Sequence, residues 1–176
     1  MNLNNQKKNS IVNKVFDTVN EKYDLMNDLM SFGVHRQWKK NLIEWMGPSK
    51  NDTLIDVASG TGDVANLFSN KLNDQCSVEC VEPNLNMLKI GKKKLAYKKN
   101  ITWHNNYAEK LPFKSNTFDY YSVSFGIRNT SNIRKSLEEA YRVLKPGGKF
   151  FCLEFSKVEN EIIKLAQNEV DDIKSK

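Results

Sequence analysis

The sequence predicts an α/β domain built on a doubly wound, mostly parallel sheet. Three observations carry this reading. Short apolar runs alternate with segments of helical period, the runs are apolar on both faces, and polar or glycine-bearing turns follow the first runs at their C-terminal ends. With 176 residues, 39% of them hydrophobic, the chain is long enough for one domain with its own core.

Residues 1–10 are polar, carry lysines with no apolar stretch behind them, and contain no arginine, so they read as a disordered lead-in rather than a secretory signal or transit peptide. From Ile11 to about Met30 the pattern is helical. A further helix of about three turns follows, with Val34, Trp38, Leu42, Trp45 and Met46 at helical spacing and Gly47-Pro48 supplying a left-handed stop and a breaker. Together residues 11–49 form an N-terminal helical segment, and residues 50–156 form the α/β core.

The core begins with the apolar run Thr53 to Val57, a strand. Val64, Leu67, Phe68 and Leu72 then lie on one helical face, and Ser77 to Val81 is again strand-like, completing a βαβ unit. Glu82-Pro83-Asn84 opens a helix from about Leu85 to Tyr97, Ile101 to His104 is a third strand, and Phe118 to Phe125 a fourth. Ile133, Leu137, Ala140, Tyr141 and Leu144 share a helical face. Lys145-Pro146-Gly147-Gly148 ends that helix and turns the chain into a fifth strand, Lys149 to Phe155, whose paired phenylalanines predict an unprotected apolar edge. Residues 157–176 offer at most one helix or a tail.

Composition narrows the function classes. No apolar run approaches the ~20 residues needed to span a bilayer. Cys76, Cys80 and Cys152 lack the spacing of a zinc or redox pair and read as buried free thiols in a reducing compartment, so no metal is expected and the cytoplasm is the expected location. The formal net charge of +6 comes largely from spread lysines, densest at Lys89, Lys92, Lys93, Lys94, Lys98 and Lys99. Without interleaved aromatics or arginines they read as a solvated helix face, not a nucleic-acid site, although attraction to an anionic membrane surface stays open.

The run from Asp56 to Asp63 carries the most chemical information. Gly60 and Gly62 follow a strand and precede a helix, where glycine lets the backbone reach φ > 0 and lets a ligand approach main-chain N–H groups. Gly60-Thr61-Gly62-Asp63-Val64-Ala65 also fits a dinucleotide fingerprint, with Glu82 placed to hold a ribose. The acids decide between cofactors: a pyrophosphate needs bare N–H groups and would be repelled by Asp63 and Asp56, whereas S-adenosylmethionine brings an ammonium and a sulfonium and no phosphate. Glu82, at the end of the second strand, can accept both ribose hydroxyls. Tyr107-Ala108-Glu109-Lys110-Leu111-Pro112-Phe113 has the position of an adenine-edge loop. Ser124-Phe125-Gly126-Ile127-Arg128-Asn129 follows the fourth strand, where donor and acceptor should meet; its residues also suit a structural turn with Arg128 in a salt bridge.

Two long stretches then resemble a known family. Tyr23-Asp24-Leu25-Met26-Asn27-Asp28-Leu29-Met30-Ser31-Phe32-Gly33-Val34-His35-Arg36-Gln37-Trp38 is similar to the first signature of the UbiE-type ubiquinone/menaquinone biosynthesis C-methyltransferases, and Arg142 to Ser156 to the second. The likeness extends from about Ile11 to Glu161. It implies a class I methyltransferase, Rossmann-like fold and methyl transfer from S-adenosylmethionine to a ring carbon of a prenylated quinol, either demethylmenaquinol or a ubiquinone-precursor benzoquinol. By family position Thr61, Glu82, Tyr107, Ala108 and Ser124 contact the cofactor, joined by Asp56, Gly60, Gly62 and Asp63 from the loop itself. Tyr107 departs from the small polar or acidic residue usual there, and the family's last helix and two strands are missing after strand five.

The same likeness frames the chemistry. Methylating a quinol ring carbon requires loss of a hydroxyl proton of pKa about 10. Arg128 is expected to stabilise the phenolate and Asn129 to orient its oxygen, while His35 is the candidate base, positioned by Tyr23 or Asp24. His104, in a strand, reads as structural. Met26, Met30 and Phe32 would cover the isoprenoid tail. A prenylated substrate suggests peripheral association with the inner face of the membrane, and a homodimer or a quinone-biosynthesis complex would cover the strand-five edge. The alternatives are a truncated, inactive cofactor-binding or scaffold protein, and an RNA methyltransferase, which the missing aromatic-basic platforms disfavour.

Overall fold

A computed structural model describes residues 34–154 of the chain. Tyr23, Asp24, Met26, Met30 and Phe32, the lead-in, and the tail after Glu154 lie outside the described residues.

The elements run α1 (Val34–Met46), β1 (Thr53–Val57), α2 (Asp63–Lys71), β2 (Ser77–Val81), α3 (Leu85–Lys94), β3 (Ile101–His104), β4 (Phe118–Ser124), a 3-10 turn (Ile127–Asn129), α4 (Ile133–Val143) and β5 (Leu144–Leu153). The five strands form one sheet in the order β3-β2-β1-β4-β5, with every neighbouring pair parallel. The winding direction reverses between β1 and β4, which opens a crevice beyond the carboxyl ends of those two strands.

Alternation along each strand sends neighbours to opposite faces. Leu54 joins Phe68, Met46, Ile43 and Val78 in the layer under α1 and α2, while Ile55 and Val57 join Leu137, Ala140, Val143 and Tyr121 under α4. Both layers exclude water almost completely, which is why the strands read as apolar throughout.

Several boundaries differ from the sequence reading. The buried stripe of α1 is His35, Leu42, Ile43 and Met46, leaving Val34 and Trp38 at the surface and Trp45 71% exposed. Two stripes of equal period compete on this helix, and packing against α2 selects the one without tryptophans. On α4, Tyr141 is exposed and Val143 completes the core face. α3 stops at Lys94, where the N–H of Leu95 caps it on the Gly91 carbonyl. β4 ends one residue early because Phe125 adopts φ 56°.

Lys145-Pro146-Gly147-Gly148 does not separate α4 from β5. It lies within β5 as a bulge between the pairs Phe118–Leu144 and Tyr120–Lys149, with Gly147 at φ 80°, and it delivers the Lys145 ammonium to both oxygens of Asp119 at 2.9 Å. The thiols also divide: Cys80 is buried and Cys76 half-buried, but Cys152 is exposed because it sits on the outermost strand among the described residues. Lys89, Lys92, Lys93 and Lys99 are solvated as expected. Lys98 is buried against Asp74 and Asn70, and Lys94 turns back onto Asp63.

Candidate functional site

The loops after β1, β2, β3 and β4 surround an open cavity at the switch point. Asp56, Gly60, Thr61, Asp63, Glu82, Tyr107, Ala108, Ser124 and Asn129 all line it. The chain reaches this arrangement through local strain: Ala58 and Phe125, neither of them glycine, hold φ of 52° and 56° on facing walls, and Gly126 fits because any Cβ there would strike Ala58.

Asp56 sits at 2% exposure, directly across the β1–β4 register from Ser122, whose hydroxyl donates to Oδ1 at 2.6 Å. Its Oδ2 is buried without a hydrogen bond among the described residues. Burial pushes this carboxyl up to about 7, against the lowering effect of the Ser122 hydrogen bond and of Lys39, with Asp63 raising it slightly and the Ala65 N–H contributing least. Ser124 Oγ is likewise buried with no partner among the described residues. The cavity wall thus carries two desolvated polar atoms without hydrogen bonds among the described residues.

Glu82 is anchored differently. Gly60 N–H donates to Oε2 and Asn84 N–H to Oε1, each at 2.8 Å, so the carboxylate straps the β1–α2 loop to the start of α3. Burial raises its pKa and the two N–H groups oppose that rise. Asn84 continues the strap, capping α3 by accepting from Asn86 N at 2.9 Å and Met87 N at 3.1 Å.

Asp63 also faces the cavity, but its charge is already matched. Lys39 reaches Oδ2 at 2.8 Å and Lys94 reaches Oδ1 at 2.5 Å. Burial alone would raise this carboxyl; the two ammonium groups overcome it and hold Asp63 well below the ordinary carboxylate range. The negative rim expected from the sequence therefore rests on Asp56 and Glu82, not on Asp63.

Three expected residues lie elsewhere. Gly62 does not line the cavity: at φ 83° it turns away, and a Cβ there would sit 2.8 Å from Leu95 and 2.9 Å from Trp103, so it serves the turn and its close packing against those two side chains. Arg128 also stands off the lining, and its guanidinium pairs with Glu154 at 3.1 Å. His35 is 1% exposed on α1 and faces a neighbouring recess with Arg36, Lys39, Lys40, Asp63 and Lys94. Tyr23 lies outside the described residues. His104, as expected, is structural, bonding Glu79 at 2.6 Å and packing edge-on against Phe113.

Sequence reasoning missed Lys39, Ser122 and the work of Glu109. Ser122 had a signal, a polar residue on the Asp56 side of an apolar strand. Lys39 had only its place one turn after His35. Glu109 Oε1 accepts from Ser131 N at 2.7 Å, Ser131 Oγ at 2.8 Å and Asn132 N at 3.1 Å, tying the loop after β3 to the loop after β4 across the cavity. Among the described residues no cluster of His, Cys, Asp and Glu could hold a metal ion, and no helix is long and apolar enough to cross a membrane.

Comparison with known proteins places this geometry. Among solved structures, a SAM-dependent methyltransferase from Aquifex aeolicus superposes with a TM-score of 0.66 at 19% identity, covering 74% of this chain and 77% of that one. The [4+2]-cyclase SpnF superposes with a TM-score of 0.62 at 20% identity, covering 68% and 44%. These likenesses fix the fold as Rossmann-like and leave the reaction open, since one neighbour is a cyclase. Sequence relatives are much nearer. The ubiquinone/menaquinone biosynthesis C-methyltransferase UbiE of Rickettsia bellii is 50% identical over 162 residues, 89% of this chain and 65% of the relative. The mitochondrial 2-methoxy-6-polyprenyl-1,4-benzoquinol methylase of Dictyostelium discoideum is 41% identical over 198 residues, 95% of this chain and 63% of the relative. The chain spans just under two thirds of the length of these curated relatives. The family model for ubiE/COQ5 methyltransferases matches residues 1–170, and the chain belongs to that family.

Proposed function

We propose that the chain binds S-adenosylmethionine and methylates a ring carbon of a prenylated quinol, of the demethylmenaquinol or polyprenyl-benzoquinol type that the names of its relatives indicate. The observation that carries the cofactor half is Glu82. Its two oxygens each take one backbone N–H, and a carboxylate has about four acceptor positions, so acceptor capacity remains at the cavity wall for a vicinal diol. Asp56 Oδ2 and Ser124 Oγ, both buried and without hydrogen bonds among the described residues, suit a cationic and polar ligand. A diphosphate at the glycine loop would instead have to lie beside Asp56.

When bound, S-adenosylmethionine supplies an electrophilic methyl group, accepted by a ring carbon as one C–S bond breaks and one C–C bond forms. The chain's part is to align that carbon and to favour loss of the neighbouring hydroxyl proton. Asn129, on the cavity wall, is assigned to orient the oxygen. Arg128, paired with Glu154 next to the lining residue Asn129, is assigned to stabilise a phenolate at the edge of the cavity through its fixed charge. Proton removal is assigned to the N-terminal segment, with Tyr23 and His35 as its residues; His35, in the adjoining recess, would act through a relay. A prenylated acceptor resides in lipid, so the reading includes work at a membrane surface.

Calorimetry with S-adenosylmethionine, then a methylation assay on both quinol types in lipid vesicles, tests this. Saturable binding and a methylated quinol are expected. Binding of NADH in place of S-adenosylmethionine, or methylation of neither quinol, would overturn it.

A further inference from the structure

We infer that Lys39 is the carboxylate receptor of the cofactor site: its ammonium, carried by α1, holds the α-carboxylate of the methyl donor while Asp56 takes the α-ammonium. This rests on the cofactor reading above and goes beyond it by naming the residue that recognises the donor's amino-acid end.

The argument is one of charge. A cavity meant only for a cation gains nothing from a lysine in its wall, yet Lys39 lines the same wall as Asp56, with its side chain 12% exposed. Pairing with Asp63 does not account for it, because Lys94 already bonds the other oxygen of that carboxylate from outside the cavity, in the adjoining recess. One carboxylate against two ammonium groups leaves a positive excess on the glycine-loop side. Asp56 faces it with a buried oxygen that makes no hydrogen bond among the described residues. The two residues are close enough for Lys39 to favour the charged form of Asp56.

The wall therefore presents one positive and one negative group side by side, the complement of a zwitterion. An ammonium has three donors, and Lys39 spends one on Asp63. Asp63 thus serves as the brace that aims Lys39, and ligand binding is tied to the docking of α1 on α2.

Titration of the full chain with three ligands tests this: S-adenosylmethionine, its decarboxylated analogue, and methylthioadenosine, which lacks the amino-acid end altogether. Wild type is expected to prefer S-adenosylmethionine over the decarboxylated compound by ~10-fold or more, in keeping with a charged hydrogen bond. Lys39→Met should lose ~10- to 100-fold for S-adenosylmethionine and change less than about 2-fold for the other two. Equal losses for all three ligands would mean that Lys39 only pins α1, and the inference fails. Equal wild-type affinity for the first two overturns it as well, with the cofactor reading intact. Failure of wild type to bind any of the three overturns the cofactor reading and the inference together. Should Lys39→Met not fold, the lysine 13Cε resonances of wild type decide, with Lys39 assigned through Lys39→Arg. Its signal should move with S-adenosylmethionine and not with the decarboxylated analogue, and identical movement with both refutes the assignment.

Discussion

If Asp56 takes the donor's ammonium, as proposed above, cofactor binding should depend on pH, and the size of the dependence follows from the surroundings of Asp56. The groups around it are Ser122 on β4 and Cys80 on β2, its partners across the sheet, with Asp63 on α2 and Lys39 on α1 acting through their charges. Burial dominates and holds the carboxyl at about 7. A cationic donor selects the ionised form, so affinity should rise with pH up to that value and level off above it. If only the ionised form binds, affinity at pH 6 is ~11-fold below the plateau and at pH 7.5 about 1.3-fold below, a gain of roughly eightfold across the interval. The window must stop there, because an α-amino group titrates from about 7.7. Binding at pH 7 should release about half a proton, measurable by calorimetry in buffers of different ionisation enthalpy. Asp56→Asn should bind more weakly and lose the slope. A pH-independent wild type, or the same slope in Asp56→Asn, would refute the reasoning.

The same carboxyl bears on stability with the opposite sign. Its pKa in the folded state lies above the unfolded value, so its favourable contribution is complete below about 4 and is lost as the pH rises through about 7. Asp56→Asn removes that penalty. Without ligand at pH 8 it should unfold at higher denaturant than wild type, by on the order of 2–4 kcal/mol at most, while matching wild type near pH 4.

Other perturbations separate binding from folding. Glu82→Ala frees the Gly60 and Asn84 N–H groups as well as the ribose site, so it should cost both cofactor affinity and about 1–3 kcal/mol of stability, measured by titration and urea melts. Gly126→Ala drives a methyl group into Ala58 and should destabilise the domain by about 1–3 kcal/mol while shrinking the cavity, seen as weaker binding in parallel with a lower melting temperature. Phe68→Ala, at 0% exposure in the layer under α2, should cost about 3–5 kcal/mol and leave affinity of the folded protein unchanged.

The sheet was legible because its central strands, β1 and β4, are buried on both faces and so read as largely apolar runs, and the first three predicted runs end where the structure ends them. Helix faces were less so. The stripe through Trp38 and Trp45 and the stripe through Leu42, Ile43 and Met46 satisfy the same period on α1, and only the packing of α1 against α2 and β5 chooses between them. Glycines posed the same difficulty: Gly60 and Gly62 are equivalent as letters, but one opens onto the cavity and the other onto Trp103.

Charge was the hardest property to read, because its effect depends on pairing between distant segments. Asp63 looked like an attractor for a cation until Lys39 and Lys94, 24 and 31 residues away, were seen to neutralise it. Arg128 took the salt bridge that the sequence offered as its second reading. Asp56 kept its place because its neighbour across the sheet is a hydroxyl, which bonds the carboxylate without cancelling it. The sign of a cavity is therefore set by which of its acids lack a basic partner. Here that criterion leaves Asp56 and Glu82 on the negative side and the surplus ammonium of Lys39 on the positive, a division that a donor carrying both charges would exploit and a purely cationic ligand would not.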